Sequence, residues 1–509
     1  MSDLWNKDSR SLVMKKLCVL PLVLSLLASG CSAGRPSADG DRPPAVAGAF
    51  YPGDPSDLGR TVDNMLAGAA AHTLAGRPVA VLVPHAGYVF SGRVAAEGLK
   101  AAGADWDRVV LIGPSHRHPI ERAAVYASGT YGTPLGPVPV DADFAARLLK
   151  DSSLFIDSPA SHEGEHSLEV QIPFLQRLIK NLKIVPILVN QVDPDRAEKL
   201  GAALARAIGK SRTLLVISSD LAHYPPEKTA HLSDETFLRS LLRLDPAYSA
   251  LTFQNLMGRG EPGLETVACG DAAIRVGMAA AKALGADRAE ILKHATSAEA
   301  GPAGDPSRVV GYGAVVFEAG TGAPPESACT VNERRRLLEV ARTSLSDAFA
   351  SKPLNPSPLD EDVVYNLPAA VFVTLTEGGR LRGCIGTTEP RLPLLDGVRY
   401  FARAAAFEDP RFPALQPREM KDLHVEISIL SAPHRVPNAD AIVPGRDGVI
   451  VSQGGRSGLF LPTVWKELPD KKEFLSEVCS QKAGLAPDCW RDSSTELRVF
   501  TSEVFEEGR

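Results

Sequence analysis

The sequence predicts two domains, an α/β layered domain over residues 45–317 and an α+β domain over residues 331–509. Three observations lead to this prediction. Apolar, strand-like runs alternate with helical stretches through the first part of the chain, which is the rhythm of an α/β layered domain. Residues 318–330 have the Gly, Pro and Ser content of a linker. The remaining length, about 180 residues, is that of one further domain.

The elements of the first domain are predicted from the spacing of apolar residues. Strands are expected at 79–83, 109–112, 182–189, 214–217 and 309–317. Helices are expected at 56–70, 92–102, 141–151, 193–208 and 271–284.

In the second domain, residues 331–350 keep helical spacing of their leucines, valine and phenylalanine. A second helix is expected at 393–406, with Pro393 suited to its first position. Strands are predicted at 369–375, 425–430, 448–452 and 496–504.

The composition excludes some functions. The net charge of −6 provides no basic surface for a nucleic acid, and the aromatic content of 6% argues against a base-stacking platform. No nucleic-acid partner is therefore expected.

The N-terminal residues predict a targeting segment. Lys15 and Lys16 precede a short apolar stretch at 17–27, and residues 27–31 resemble a bacterial lipobox that ends at Cys31. We expect a signal peptide over 1–31, a tether over 32–44, and attachment of the exported protein to the membrane by lipid on Cys31. A plain secretory signal and a frayed tail are the alternatives, and the location is cytoplasmic if the signal is not used.

The cysteine count fits export poorly. Besides Cys18 and Cys31, an odd number of cysteines remains, at 269, 329, 384, 479 and 489. An oxidising compartment would leave at least one of these as a free thiol or a metal ligand. Cys479 and Cys489 could pair; alternatively, Cys269 and Cys384 stay reduced for function.

Polar side chains follow three of the predicted strands. His85 follows the strand at 79–83, His116 the strand at 109–112, and Asp220 the strand at 214–217. Ligands of open α/β sheets collect beyond the carboxyl ends of the strands, so these side chains should meet in one cleft. The bland alternative is that each histidine caps a helix or bonds a backbone carbonyl.

The order of the motifs resembles the Memo-like family. The motifs are Gly48–Pro52, His85–Tyr88, Gly113–His116, Glu165–Glu169, Ser218–Asp220 with His223 and Tyr224, and Cys269–Gly270. The resemblance implies a fold similar to the class III extradiol dioxygenases, which use a non-haem iron. It also implies a metal held by His85, His116 and Cys269.

Such a ligand set has a chemical meaning of its own. Two imidazoles and a thiolate leave open positions on iron or copper, with zinc also possible. His223 could then act as a general acid or base, with Asp220 orienting a neighbour. Alternatively, Cys269 is a buried and inert thiol.

A second motif competes for the histidines. Residues 162–166 match the H-E-x-x-H signature of zinc proteases, but Gly164 and the turn-like residues before it argue against a regular helix. We expect Glu165, His166 and Glu169 to begin a helix at the rim of the cleft, where they orient metal ligands, bind substrate or are simply solvated. Ser115 and Ser219 lack the G-x-S-x-G elbow of a serine hydrolase.

The second domain has its own distinctive motif at Leu381–Gly386. Together with residues 409–413, 425–430, 455–462 and 500–506, this motif resembles the AMMECR family. Cys384 could be a nucleophile if its pKa were lowered. Arg382 could bind an anion, and Gly383 could let backbone approach a ligand or cofactor. Alternatively, the glycines build a bulge and Cys384 packs in the interior.

Memo-like and AMMECR proteins resemble components of a three-part system whose third member is a radical SAM enzyme, so such a partner is suspected. That partner would work in the reducing cytoplasm, whereas the lipobox predicts export. The sequence favours a metal-dependent redox enzyme acting on an unidentified small molecule. The alternatives are a metal-delivery module, with the AMMECR domain as its interaction surface, and a ligand-binding scaffold without metal.

Overall fold

The structure is a computed structural model that describes residues 40–151, 153–300, 304–322 and 329–508. The predicted signal peptide and lipobox, and the tether up to residue 39, lie outside the described residues, as does part of the predicted linker. Among the described residues, no helix is both long enough and apolar enough to cross a membrane.

The first domain alternates helices and strands. Its helices are α1 (Pro55–Gly68), α2 (Tyr88–Ala102), α3 (Ala142–Leu148), α4 (Pro159–His162), α5 (Ile172–Leu178), α6 (Pro194–Ile208), α7 (Glu227–Leu241), α8 (Pro246–Gly258), α9 (Asp271–Ala283) and α10 (Ser297–Ala300). Its strands are β1 (Asp41–Arg42), β2 (Arg77–Val83), β3 (Arg108–Gly113), β4 (Ala123–Val125), β5 (Thr130–Tyr131), β6 (Val138–Pro139), β7 (Phe155–Asp157), β8 (Ile184–Leu188), β9 (Thr213–Ser218), β10 (Ala286–Thr296) and β11 (Gly311–Ala319).

Eight of these strands form one mixed sheet in the order β10-β11-β2-β9-β3-β8-β4-β7. The central strands β2, β9, β3 and β8 run parallel to one another, so their carboxyl ends lie along the same edge. Alternate residues of these strands enter two separate apolar cores, one on each face of the sheet. Leu82 and Val110 lie in one core, and Val81 and Leu111 in the other. Burial on both faces explains why these strands read as continuous apolar runs.

The second domain contains two sheets. Its helices are α11 (Val331–Phe349), α12 (Leu394–Phe407) and α13 (Lys471–Glu477). Its strands are β12 (Pro368–Glu377), β13 (Arg380–Gly386), β14 (Leu392–Pro393), β15 (Leu423–Leu430), β16 (His434–Val436), β17 (Gly448–Gln453), β18 (Arg456–Phe460), β19 (Glu496–Phe500) and β20 (Ser502–Glu506). One sheet has the order β13-β12-β15-β20, with β14 beside β12, and the other has the order β16-β19-β17-β18.

The prediction of one strand over 496–504 is wrong. The strand is interrupted at Thr501, and β19 and β20 belong to different sheets. The Thr501 amide donates to the Ser431 hydroxyl, and the Ser431 amide donates to the Thr501 carbonyl. The segment after β15 and the segment between β19 and β20 therefore run side by side where they pass from one sheet to the other.

Hydrogen bonds join the two domains. The Tyr248 hydroxyl on α8 donates to the Pro368 carbonyl at 2.8 Å, and Lys228 on α7 pairs with Glu361 at 2.6 Å. Arg259 lies 3.7 Å from the Asp396 carboxylate. Helices α7 and α8, which follow Asp220 in the chain, therefore contact the second domain.

Candidate metal centre

Three adjacent parallel strands bring the predicted residues to one edge of the sheet. β2 leads to His85, β9 to Asp220 and β3 to His116. The Asp220 carboxylate accepts hydrogen bonds from the backbone amides of His85, at 2.7 Å, and Ala86, at 3.2 Å. Asp220 therefore ties the end of its own strand to the loop that carries His85.

A third imidazole joins His85 and His116. One nitrogen from each of His85, His116 and His166 lies within 4.8 Å of the other two. The rings of His116 and His166 are stacked with centroids 4.7 Å apart, and His85 meets both edge-on. His166 reaches the group from the loop after α4, which is why strand-end reasoning did not assign it to the ligands.

Each of the three imidazoles has a partner for its Nδ1 atom. Nδ1 of His85 lies 3.0 Å from the Ser218 hydroxyl. Nδ1 of His116 lies 3.0 Å from Glu165 Oε1, and Nδ1 of His166 lies 3.4 Å from the same oxygen. Anchoring one ring nitrogen fixes the orientation of the ring and leaves the other nitrogen, Nε2, for a metal.

Glu165 is itself firmly held. Its carboxylate accepts hydrogen bonds from the amides of His116, His166 and Ser167. Burial works to raise the pKa of Glu165, but the hydrogen bonds from His116 and from the backbone outweigh burial and hold that pKa well below its usual range. Glu165 is therefore a buried anion that orients two of the three rings.

Cys269 lies beside this group without belonging to it. Its Sγ atom is 3.2 Å from Nε2 of His85, just before α9, yet it does not share the mutual 4.8 Å spacing of the three imidazoles. Burial, followed by the Asp220 charge, raises the pKa of the Cys269 thiol far above its usual range. Burial lowers the pKa of His85 well below its usual range. Both side chains are therefore neutral, and a neutral imidazole is the form that binds a metal.

His223 reaches the same neighbourhood from the loop after β9. Its Nε2 atom is buried and has no hydrogen-bond partner among the described residues. Burial, followed by the influence of His116, lowers its pKa to about 4. Burial also raises the pKa of Asp220 to about 7, but Asp220 bonds the His85 loop rather than the His223 ring. The two predicted proton handlers thus have different surroundings.

The family of the chain follows from comparison with known proteins. The family model described as Memo-like protein matches residues 42–316, which include His85, His116 and His166, the three residues of the histidine cluster. The chain belongs to the Memo-like family. A further family model, AMMECR1, matches residues 338–505. Both resemblances predicted from the sequence motifs are confirmed.

The Memo-like domain is similar to proteins of other organisms over nearly their whole length. A MEMO1 family protein of Aquifex aeolicus is 35% identical over 54% of this chain and 98% of its own length. A MEMO1 family protein of Methanopyrus kandleri is 34% identical over 55% of this chain and 100% of its own length.

Two solved structures are similar to parts of the chain. An uncharacterized protein from Pyrococcus horikoshii is 38% identical, with a TM-score of 0.31, over 34% of this chain and 90% of its own. An uncharacterized protein from Escherichia coli is 14% identical, with a TM-score of 0.31, over 47% of this chain and 99% of its own.

The Memo-like domain does not use its H-E-x-x-H motif as a zinc protease would. Helix α4 ends at His162, and Gly164 has a φ of +68°, so the motif is not one helix. His162 bonds the Tyr131 hydroxyl and the Ala124 carbonyl through its two nitrogens. Both nitrogens are therefore occupied by structural partners.

The serine hydrolase alternative also lacks support. The Ser115 hydroxyl donates to the His118 carbonyl, and the Ser219 hydroxyl donates to the Asp220 carbonyl. Neither hydroxyl is hydrogen-bonded to an imidazole among the described contacts.

The AMMECR residues revise two of the predicted roles. Arg382 pairs with Glu419 at 2.7 Å, which compensates its charge, and its Nη1 atom is buried without a hydrogen-bond partner among the described residues. A Cβ atom on Gly383 would lie 2.0 Å from the Ala405 carbonyl oxygen, so this glycine lets α12 approach and not a cofactor. Cys384 is half-buried, and its sulfur accepts a hydrogen bond from Thr374 at 3.3 Å. Among the described contacts, no imidazole lies beside Cys384.

The roles of Ser218 and Arg42 in this centre were not predicted. Ser218 anchors His85, and the buried Glu169 binds Arg42 at 2.6 Å. The Glu169 carboxylate also accepts from the Tyr51 hydroxyl at 2.6 Å. The position of Ser218 at the last residue of β9 is a signal that could have been read, whereas the pairing of Arg42 with Glu169 spans more than a hundred residues and has no local signal.

Proposed function

We propose that the Memo-like domain is a mononuclear metal-dependent redox enzyme acting on a small molecule. His85, His116 and His166 would hold the metal, and Cys269 would lie beside it. One observation carries the proposal: one nitrogen of each ring lies within 4.8 Å of the other two, while the Nδ1 atoms lie beside Ser218 or Glu165. This is the arrangement of a ligand set supported from behind.

The residues fit the proposed metal. Neutral imidazoles suit iron, copper and zinc, and three protein ligands leave a position for water or substrate. The Nε2 atom of His223 is buried and has no hydrogen-bond partner among the described residues, so it is available to bind a ligand or substrate. Bound iron or copper would supply electron transfer or oxygen chemistry, and a fold similar to the extradiol dioxygenases, which the sequence resemblance implies, would favour iron.

The chain's own residues would prepare the site. Asp220 would hold the His85 loop in place through two backbone amides. Neutral His223 would accept a proton from the substrate at Nε2, because its low pKa keeps it unprotonated at neutral pH. Glu165 would keep two of the rings in register.

A metal-delivery role is the second candidate. The His116 side chain is 32% exposed, so an ion on this ring would face solvent and could be exchanged. In this case the AMMECR domain would serve as the interaction module. An enzyme would consume oxygen or peroxide with a substrate, whereas a carrier would pass its metal to an acceptor without turnover.

A radical SAM partner and an exported, lipid-anchored location both remain proposals. A disulfide joins Cys479 to Cys489, and disulfides persist chiefly in oxidising compartments. This bond favours the exported location. A radical SAM partner would instead require a reducing compartment, so co-purification from membrane and soluble fractions would separate the two proposals.

The proposal is tested by the metal content of the full chain purified without oxygen. The variants are His85→Ala, His116→Ala and His166→Ala, and the control is His118→Ala, an exposed histidine of the same loop as His116. We expect near-stoichiometric iron or copper in the parent and the control, and loss of it in the three variants. Absence of metal from the parent after reconstitution with iron, copper and zinc would overturn the proposal.

A further inference from the structure

We propose that the Memo-like domain has a second metal site, separate from the histidine cluster, on Glu227, His231 and Glu299. The site would take a divalent transition ion of the zinc type. It lies where α7 and α10 meet, next to the second domain. One ligand atom from each of these side chains lies within 4.8 Å of the other two.

Helix α7 presents two of the three side chains. Glu227 and His231 are four residues apart on this helix, so they share one face. Glu299 comes from α10, and its Oε1 lies 3.6 Å from Nε2 of His231. Two carboxylates and an imidazole thus converge from two separate elements.

A single buried residue orients both carboxylates. The Thr296 hydroxyl donates to Glu227 Oε1 at 3.0 Å, and the Thr296 amide donates to Glu299 Oε2 at 2.7 Å. Thr296 is fully buried at the end of β10, so it is a rigid base for both. A supporting hydrogen bond of this kind is what orients the carboxylate ligands of metal sites.

The donor set selects the class of ion. An imidazole disfavours calcium and magnesium, which prefer oxygen ligands, and suits zinc and its neighbours. A tetrahedral zinc ion with bonds near 2.0–2.2 Å needs ligand atoms about 3.3–3.6 Å apart. The side chains of His231 and Glu299 are 40% and 48% exposed, so they can close around an ion without moving the core. A water molecule would complete the set of four ligands.

The position gives the second site a consequence for the first. Glu227 follows His223 by four residues, and its amide is held by the Pro306 carbonyl. An ion here would fix the start of α7 and the loop that carries His223. The same groove is lined by Lys228 and by Glu361 of the second domain, which pair with each other. The ion would therefore also stiffen the junction between the domains.

The test counts zinc ions bound to the full chain by equilibrium dialysis and elemental analysis. His231→Gln and the double variant Glu227→Gln/Glu299→Gln remove this site, and His116→Ala disables the histidine cluster. Glu235→Gln is the control, because Glu235 is an exposed residue of the same helix. We expect His231→Gln to bind one zinc ion fewer than the parent, and Glu235→Gln to bind as many as the parent.

The His116→Ala background separates this proposal from the proposed function. If the histidine cluster binds no metal, the parent and His116→Ala will each still bind one zinc ion, which His231→Gln will lose. Unchanged zinc stoichiometry in His231→Gln and in the double variant would overturn the second site. Because a variant could fail to fold, the parent is also labelled with diethyl pyrocarbonate. Zinc should slow modification of His231, and an unchanged rate would also overturn the proposal.

Discussion

The Cys269 sulfur lies 3.2 Å from Nε2 of His85. That nitrogen is the one His85 would offer to a metal, because Nδ1 of the same ring is held by Ser218. A thiol in this position either joins the metal as a fourth ligand or hydrogen-bonds the imidazole that holds it. The choice decides which metals the centre prefers.

Cys269→Ala should weaken copper(I) binding more than iron(II) binding. A thiolate favours soft ions, whereas the three remaining imidazoles still suit iron(II). We expect the copper(I) affinity to fall by about tenfold or more and the iron(II) affinity to fall less. Competition with chromogenic chelators under anaerobic conditions measures both.

Cys329→Ala is the matched control, since Cys329 is a free thiol of the second domain. Equal losses of copper(I) and iron(II) affinity in Cys269→Ala would show that the thiol acts on the geometry of His85 and not as a soft ligand.

Much of the centre could be predicted because strand ends are a local signal. His85, His116 and Asp220 each follow a short apolar run, and parallel strands gather their carboxyl ends at one edge. Helix α6 was predicted within a residue, because Asp193 caps it and Gly209 follows its end. These features depend only on neighbouring residues.

The remainder depends on contacts that are distant in sequence. His166 enters the cluster from a loop, so its membership could not be inferred from a strand. The strand β10 was missed because most of its residues are half-buried and its pattern is not apolar. Gly383 was expected to face a ligand, but only the position of α12 shows what it faces.

Glu165→Gln should weaken metal binding without unfolding the domain. The amide keeps the shape of the carboxylate but loses the charge and one acceptor, so the rings of His116 and His166 lose their common anchor. Loss of such a supporting residue costs about 10–100-fold in metal affinity. Glu163→Gln, an exposed change two residues away, should bind metal as the parent does. An unchanged affinity in Glu165→Gln would show that the rings are fixed by packing alone.

Arg42→Ala should destabilise the Memo-like domain strongly. Arg42 pairs with the buried Glu169 and also donates to the carbonyls of His162 and Glu165, next to His166. Its removal leaves Glu169 charged and buried, at a cost of about 3–5 kcal/mol in the free energy of unfolding.

Arg60→Ala is the control for this change, because the Arg60 pair with Asp57 is exposed and should contribute less than about 1 kcal/mol. Urea unfolding followed by circular dichroism compares the two variants. Similar losses in both would contradict the assigned role of Arg42.

Gly383→Ala should destabilise the AMMECR domain by about 1–3 kcal/mol or more, because the new Cβ atom would overlap the Ala405 carbonyl on α12. Cys384→Ala removes one sulfur atom and introduces no overlap, so it should lower the stability of the domain by less. Thermal unfolding of the two variants checks the order. A stable Gly383→Ala variant would show that α12 can shift to make room for the Cβ atom. The prediction that Gly383 faces a ligand would then stand again.

Replacing both Cys479 and Cys489 by Ala should lower the stability of the AMMECR domain by about 3 kcal/mol, the entropy of closing a loop of this length. Both residues lie in a core that contains Trp465, whose ring stacks on Phe474. Tryptophan fluorescence during urea unfolding therefore reports on this domain. A reducing agent should produce the same loss of stability in the parent and none in the double variant, whereas the Memo-like domain should be unaffected.

Mass spectrometry of the alkylated, non-reduced chain should find Cys269, Cys329 and Cys384 labelled. Labelling of Cys479 and Cys489 as well, in protein from an oxidising compartment, would contradict the disulfide and remove its support for export.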